Sequence, residues 1–509
     1  MDQRDMSDPL ESSQKMVPDL IKLDQIPDNF LQRVETDLLE TSTFQEATAV
    51  ATGYASFNLA QKGFLHSHSK ILVGLVPSAA GQMLPANIGI ASIIDRAVLK
   101  VRKSGQVIND ISDFGHFHAI KSCQISNETN REREQYMTGR VMNKEFKHYF
   151  DNGATTVYDA ERSLGYGLDN GREYSAKGAA GVRDVGQNGL VQPFSLMSTG
   201  AVAESPTYSI DISDLFLFMK TQSLPLYMID QGLTLELYWS NTESRVLRAG
   251  GLRAGITIDR NELKFVADYI TYTEDDAMNR YRDANPVIDM SFSDYRLSKN
   301  TRSQAELQGG FVRQLGMNNR VVPRVITVIS NESDPGGVAA IDQSMLGKYN
   351  MMSPVENTGV NVVPGTLSYN IRYKSRFEFS QALVNKAQAF TQLVQSEGLP
   401  FVSRQEYSKD QGGYLVGRGV VGGVGDTIVA GSEATFQGYP QEDTLGGQFF
   451  MLGTRLTNGR VGNDGVELHL TAQMPDPTGG GATAYIVRSY LEYVRRARLE
   501  GGEMEIMNA

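Results

Sequence analysis

Two pairs of histidines are the residues of this 509-residue chain whose spacing most directly suggests chemistry. His66 and His68 share one face of a predicted strand, and His116 and His118 do the same if that stretch is extended, so a two-histidine metal site is geometrically open at either place. No carboxylate or cysteine sits at a spacing that completes either set, and a structural role is the simpler reading. Cys123 is the only cysteine, which excludes an intrachain disulfide and a multi-cysteine zinc site. Gly417-x-Gly419-x-x-Gly422 follows the strand-like Tyr414-Leu415-Val416 and imitates a dinucleotide fingerprint. That fingerprint needs a helix to begin there, and VGDTIVAGSEATF has strand and turn chemistry instead. The chain has no G-x-S-x-G elbow, no H-E-x-x-H and no G-x-x-x-x-G-K-[ST]. The expectation is therefore no catalytic, cofactor-binding or metal-ligating residue, with nonlocal triads left open.

The remaining charged feature is basic. Arg488, Arg495, Arg496 and Arg498 cluster around a strand expected to end near Val494, which would set the last three just beyond it. There they can face nucleic acid, a lipid headgroup or an acidic neighbour, although a subunit contact or plain solvation is simpler. The formal charge of −11 argues against a surface that grips nucleic acid everywhere. Asn127-Glu128-Thr129 and Asn331-Glu332-Ser333 fit the glycosylation sequon. The polar start MDQRDMSDPLESSQK lacks a secretory signal's apolar core, no run is long enough to cross a bilayer, and an intracellular compartment is expected.

These residues need elements to position them, and the pattern is mostly that of strands. A chain of this length exceeds one core, and 40% hydrophobic content supplies two domains with core-forming material. Residues 1–45 read as a polar arm with one amphipathic helix opening at Asp28, carrying Leu31, Val34 and Leu38 on one face. Strands are expected in TGYASFNLAQKGFLHSHSKILVGLV and over Ile93 to Asn109, with Lys103 to Gln106 as the turn, and the charged NETNREREQYMTGRVMNKEFKHYF as a helix. Further strands follow in YSIDISDLFLFM, SLPLYM and LTLELYW, where Leu233, Leu235 and Leu237 alternate with Thr234, Glu236 and Tyr238. TEDDAMNRYRDANP reads as a hydrophilic linker, so the first domain covers 46–284 and the second 285–509. In the second, VVPRVITVIS resembles Ile71 to Val76, and Ser380 is expected to cap a helix with Leu383, Val384, Ala387, Phe390 and Val394 inward, ended by Gly398 and Pro400. The excursions Asp151 to Gly200 and Asn331 to Thr366 are too long for ordinary connections and read as functional surfaces.

An internal repeat supports the two-domain reading. Val266-x-x-Tyr269-Ile270-x-Tyr272 matches Val487-x-x-Tyr490-Leu491-x-Tyr493 at a spacing of 221 residues, and Leu235-Glu236-Leu237 matches Val466-Glu467-Leu468 at 231. Two matches in the same order describe one strand plan used twice.

The tandem β-rich halves, the run Ser223-Leu224-Pro225-Leu226 before LTLELYW, and VADYITYTEDDAMNRYRD after it resemble the double jelly-roll major capsid proteins of tailless icosahedral double-stranded DNA viruses. The likeness is greatest to those of virophages, Polinton-like viruses and nucleocytoplasmic large DNA viruses. The resemblance implies a mainly all-β fold of two tandem eight-stranded jelly rolls with short helices and long loops, without enzymatic activity or cofactor. It also implies a homotrimer acting as a pseudo-hexameric capsomer in the virion shell, assembled inside the host cell. Its partners would be neighbouring capsomers, penton and minor capsid proteins, and an internal membrane or genome reached through the N-terminal arm or the C-terminal arginines. A carbohydrate-active or carbohydrate-binding β-sandwich and a tail or spike adhesin are the alternatives. A hydrolase of that kind would need paired acids around a cleft.

Overall fold

The computed structural model describes residues 32–48, 50–76, 82–83, 88–122, 137–138, 150–151, 156–157, 207–220, 223–241, 247–248, 256–272, 275–331, 351, 354, 367–397, 450–457, 459–474 and 484–508. The glycine motif at 417–422, Cys123, Asn127 and most of the two long excursions lie outside them.

The alternation read in LTLELYW organises the first half. Its strands are β1 (Gln32–Glu40), β2 (Gly53–Asn58), β3 (Lys70–Val76), β4 (Ile94–Val101), β5 (Val107–Ser112), β6 (Thr207–Asp211), β7 (Leu233–Trp239) and β8 (Thr257–Tyr272). They form two antiparallel sheets in the orders β1-β8-β3-β6 and β2-β7-β4-β5, with short pieces at 43–45, 64–65 and 224–225 added along them. Leu233, Leu235, Leu237 and Trp239 of β7 are buried with Ile71, Val73 and Leu75 of β3 and Phe265 of β8. Each such side chain, fully removed from water, contributes about 1.5–3 kcal/mol.

The second half repeats this plan strand for strand. Its members are β9 (Val287–Ser303), β10 (Phe311–Gly316), β11 (Arg324–Asn331), β12 (Leu367–Tyr373), β13 (Arg376–Phe377), β14 (Leu452–Arg455), β15 (Val466–Ala472) and β16 (Ala484–Glu500). The sheet orders are β9-β16-β11-β14 and β10-β15-β12-β13, which are those of the first half with eight added to every number. One further strand, β17 (Glu503–Asn508), returns along β16 through a two-residue turn. Gly501 and Gly502 occupy that turn at φ 58° and 83°, a left-handed pair that side chains with a Cβ resist.

Among the described residues the longer helices between strands are α1 (Phe114–Ser122), α2 (Asp275–Ala284), α3 (Gln304–Gln308) and α4 (Lys386–Glu397). In each half a helix stands between the fifth and sixth strands, α1 in the first and α4 in the second. The stretch 127–150 expected to be helical is almost wholly outside the described residues.

Four expectations change. The helix proposed from Asp28 is strand β1 from Gln32 onward, paired along its length with β8. Val34 and Leu38 are four apart, a spacing shared by one helix face and one strand face, and the long edge offered by β8 decides for the strand. The hydrophilic linker contains α2, whose Met278 and Tyr281 pack on Phe64, Ile270 and Tyr272. Helix α4 starts after Asn385, whose side chain accepts from Gln388 N at 2.8 Å, not after Ser380. Leu383 instead pairs with Tyr369 as a β-bridge, and the inward face of α4 is Ala389, Leu393 and Ser396. Finally, SDLFLFMK and LYM form short helical turns at 212–215, 217–220 and 226–228 rather than continuous strands.

The repeat holds for strands but not for every residue. Phe265 faces Phe57 inside the first sandwich, while Ile270 and Tyr272 face outward. In β16, Ser489 faces inward to Thr327, and Arg488 and Tyr490 face outward. Tyr269 and Tyr490 therefore lie on corresponding strands with opposite orientation. Glu236 and Glu467 do correspond, each flanked by inward residues on the seventh strand of its half.

Candidate assembly interface

His66 and His68 lie in the turn before β3, ring centroids 5.0 Å apart, with the backbone N–H of His68 donating to His66 Nδ1 at 3.0 Å. Burial and the neighbouring His68 push the His66 imidazole down. His116 and His118 are not extended; they sit in α1, where Phe114, Phe117 and Ile120 recur at helical spacing and are buried. That spacing was the signal for a helix. No group of three His, Cys, Asp or Glu able to hold a metal occurs among the described residues.

The arginines are inside β16, which runs past Val494 to Glu500. Arg488 is fully buried, and Arg495 is mostly so. Neither is free to meet nucleic acid or lipid. Arg496 and Arg498 remain exposed, Arg498 beside Glu500 at 3.0 Å.

Arg488 and Arg495 hold the two halves together. Asp113, at the end of β5, adopts φ 54° and turns the chain into α1. Its carboxylate accepts from Arg488 Nε at 2.6 Å, stands 2.6 Å from His116 Nδ1 and 3.5 Å from Lys299 Nζ. Its carbonyl accepts from the Tyr490 hydroxyl at 3.1 Å, and Ser330 pairs with the other end of Arg488. Burial pushes the Asp113 carboxyl up, but His116, Arg488 and Lys299 outweigh it and hold the group well below the usual carboxylate range. Arg495 bridges the Ile108 carbonyl at 2.9 Å and Asp294 at 3.0 Å. Burial raises the Asp294 carboxyl against the pull of Tyr493 and Arg495.

Around these charges the junction is aromatic. Phe117 lies 4.7 Å from Tyr295 and 5.5 Å from Tyr490, and Phe218 lies 5.1 Å from Phe292, centroid to centroid. The β16–β17 hairpin reaches back to the first half, with Asp230 N donating to Gly502 O at 2.9 Å and Ile506 N to Gln106 Oε1 at 3.2 Å. Sequence reasoning missed this junction because its partners are 375 residues apart.

Each half also carries a glutamate hub on the outer face of its β7 or β15 sheet. Glu236 joins Lys100, the Tyr54 hydroxyl at 2.7 Å and the Tyr238 hydroxyl at 3.4 Å. Burial and the bond to Glu236 push the Tyr54 hydroxyl up to about 12. Glu467 joins His469, Gln314 and, at 3.5 Å, Arg372. Burial raises the Glu467 carboxyl, but His469 and Arg372 prevail and hold it below its ordinary value. A cation from the fourth strand and a partner from the second strand recur in both hubs.

No family model matches the chain, and no curated protein matches its sequence. Solved structures do match its shape. The PBCV-1 capsid in its quasi-atomic model aligns over 95% of this chain and 98% of its own, with a TM-score of 0.51 at 12% identity. PBCV-1 VP54, as fitted into a reconstruction of the virophage Sputnik, aligns over 95% and 98% with a TM-score of 0.52 at 10% identity. The mavirus major capsid protein aligns over 95% and 91% with a TM-score of 0.50 at 11% identity. This chain has the double jelly-roll fold.

In the double jelly roll, β1–β8 form the first roll and β9–β16 the second. The aligned lengths span both rolls.

Proposed function

We propose that this chain is a structural major capsid protein of an icosahedral double-stranded DNA virus, without enzymatic activity. The observation that carries the reading is the single strand order written twice in one chain, with the two rolls joined by the buried Arg488–Asp113 pair. Three such chains place six similar rolls around one axis, so a homotrimer presents a pseudo-hexagonal outline that tiles a shell by many weak contacts. The matched capsid proteins of PBCV-1 and mavirus support this reading, and they lend no support to the carbohydrate alternative.

Within it, the first roll begins near Gln32 and the division between rolls falls in α2; of the arm expected over residues 1–45, residues 1–31 lie outside the described residues. Neighbouring capsomers, penton and minor capsid proteins are the partners proposed, in the virion shell. A contact with membrane or genome falls to the arm or to Arg496 and Arg498, since Arg488 and Arg495 are committed to the junction.

Sedimentation and negative-stain imaging of the purified full chain test this. Threefold particles with hexagonal outline, or shells, are expected; a chain that stays monomeric at all concentrations rejects it.

A further inference from the structure

We propose that β13 and the following residues to Val384 dock on β1 of a second copy of this chain. The inference rests on the trimeric reading above and names the surfaces that make it. Within one chain, the fifth strand of the first roll already lies against the first and last strands of the second. Asn109 Nδ2 of β5 donates to Ser293 O of β9 at 3.5 Å, and Arg495 of β16 donates to Ile108 O of β5 at 2.9 Å. Because both rolls share one strand order, the same two kinds of surface exist once more. They are the fifth strand of the second roll, β13, and the first strand of the first roll, β1.

Both places expose apolar side chains. Eight large apolar residues are exposed among the described residues, and four fall on these two strips: Val34 at 55% and Leu38 at 63% on β1, Phe377 at 48% and Val384 at 55% beside β13. An edge strand carrying such residues is an unstable surface for a monomer and a usable one for an interface. The second-roll strip continues past β13, because Leu383 bridges back to Tyr369 and brings Val384 to the same edge.

The charges are complementary. Arg372, Lys374 and Arg376 are exposed around β13, with Arg372 also facing Glu467 at 3.5 Å. On β1, Glu40 shares the exposed face of Val34 and Leu38, while Glu35 and Asp37 lie on the opposite face with Lys62. Opposite fields steer two copies together and penalise the like pairings β1 to β1 and β13 to β13. Each chain thus offers one strip of each kind, so the contact is heterologous and passes round a ring that closes when the last copy meets the first.

The test uses the full chain. Leu38→Asp and Phe377→Asp should each weaken association by about tenfold or more in sedimentation equilibrium, as expected for buried interface anchors, with far-ultraviolet circular dichroism spectra matching wild type. Glu40→Lys and Arg376→Glu should each weaken it, and the two combined in one chain, which make every contact of the ring opposite in charge again, should restore association, which a merely misfolded variant cannot do. A wild-type trimer left intact by all four substitutions overturns this pairing while leaving the trimer standing. A wild type that never associates overturns the capsid reading and this inference together.

Discussion

Arg488 and Asp113 meet at 2.6 Å across the two rolls, with the guanidinium wholly inside the protein. An ion so placed is tolerable only while its partner is present, because an isolated buried charge has lost its hydration without compensation. Arg488→Ala should therefore lower unfolding stability by about 3–5 kcal/mol, whereas Arg488→Met, which removes the charge and keeps much of the volume, should cost less. Denaturant melts of both variants decide this; equal losses would show that the retained volume contributes nothing and that loss of the guanidinium alone sets the cost.

The same pair predicts an acid limit. The folded-state pKa of Asp113 lies well below its ordinary value of 3.8, so its contribution is fully present above that value and is lost as pH falls through the folded pKa. Thermal stability of the wild type should decline below about pH 4. Asp113→Asn should be less stable at neutral pH, and its curve should be flatter on the acid side. Parallel curves for the two proteins would refute the assignment.

The two glutamate hubs differ in burial, and substitution should separate them. Glu236 is 7% exposed in its side chain and Glu467 is 16%. Glu236→Ala leaves Lys100 and two tyrosine hydroxyls without their acceptor and should cost about 1–3 kcal/mol. Glu467→Ala should cost less, since solvent reaches its neighbours. Chemical denaturation of the two variants checks the order.

Gly502 has no room for a side chain. A Cβ there would stand 2.3 Å from Asp230 Oδ2, at a backbone φ of 83°. Gly502→Ala should destabilise the β16–β17 hairpin by roughly 1–3 kcal/mol and raise amide exchange across 503–508 more than elsewhere. Gly501→Ala meets no neighbour within 4 Å and should show the backbone penalty alone.

Much of this architecture could be read from side-chain order because strands that bury one face announce it by alternation. Leu233, Leu235 and Leu237 are inward, and Glu236 is on the outer face, as the pattern required. Short-range rules failed where tertiary pairing chose between equal local options. Val34 and Leu38 suit a helix or a strand, Met278 and Tyr281 are two apolar residues in an otherwise hydrophilic stretch, and Leu383 left its helix for a bridge to Tyr369. The junction was invisible for a different reason: nothing near Arg488 in the chain indicates Asp113, so the cluster looked like a basic surface when half of it was structural.

The hairpin that returns from Glu500 to clasp Asp230 also sets a timetable. Synthesis at roughly 5–20 residues per second leaves the first roll waiting on the order of tens of seconds for the residues that cover Phe117 and Ile108. Until then a newborn chain displays an aromatic face met only by Phe292 and Tyr295 of a β9 that lacks its partner strand β16, and neighbouring nascent chains display the same one. Chaperone occupancy of that face should be highest in the interval between emergence of α1 and emergence of β16, and the yield of soluble protein should follow how well it is shielded during that wait.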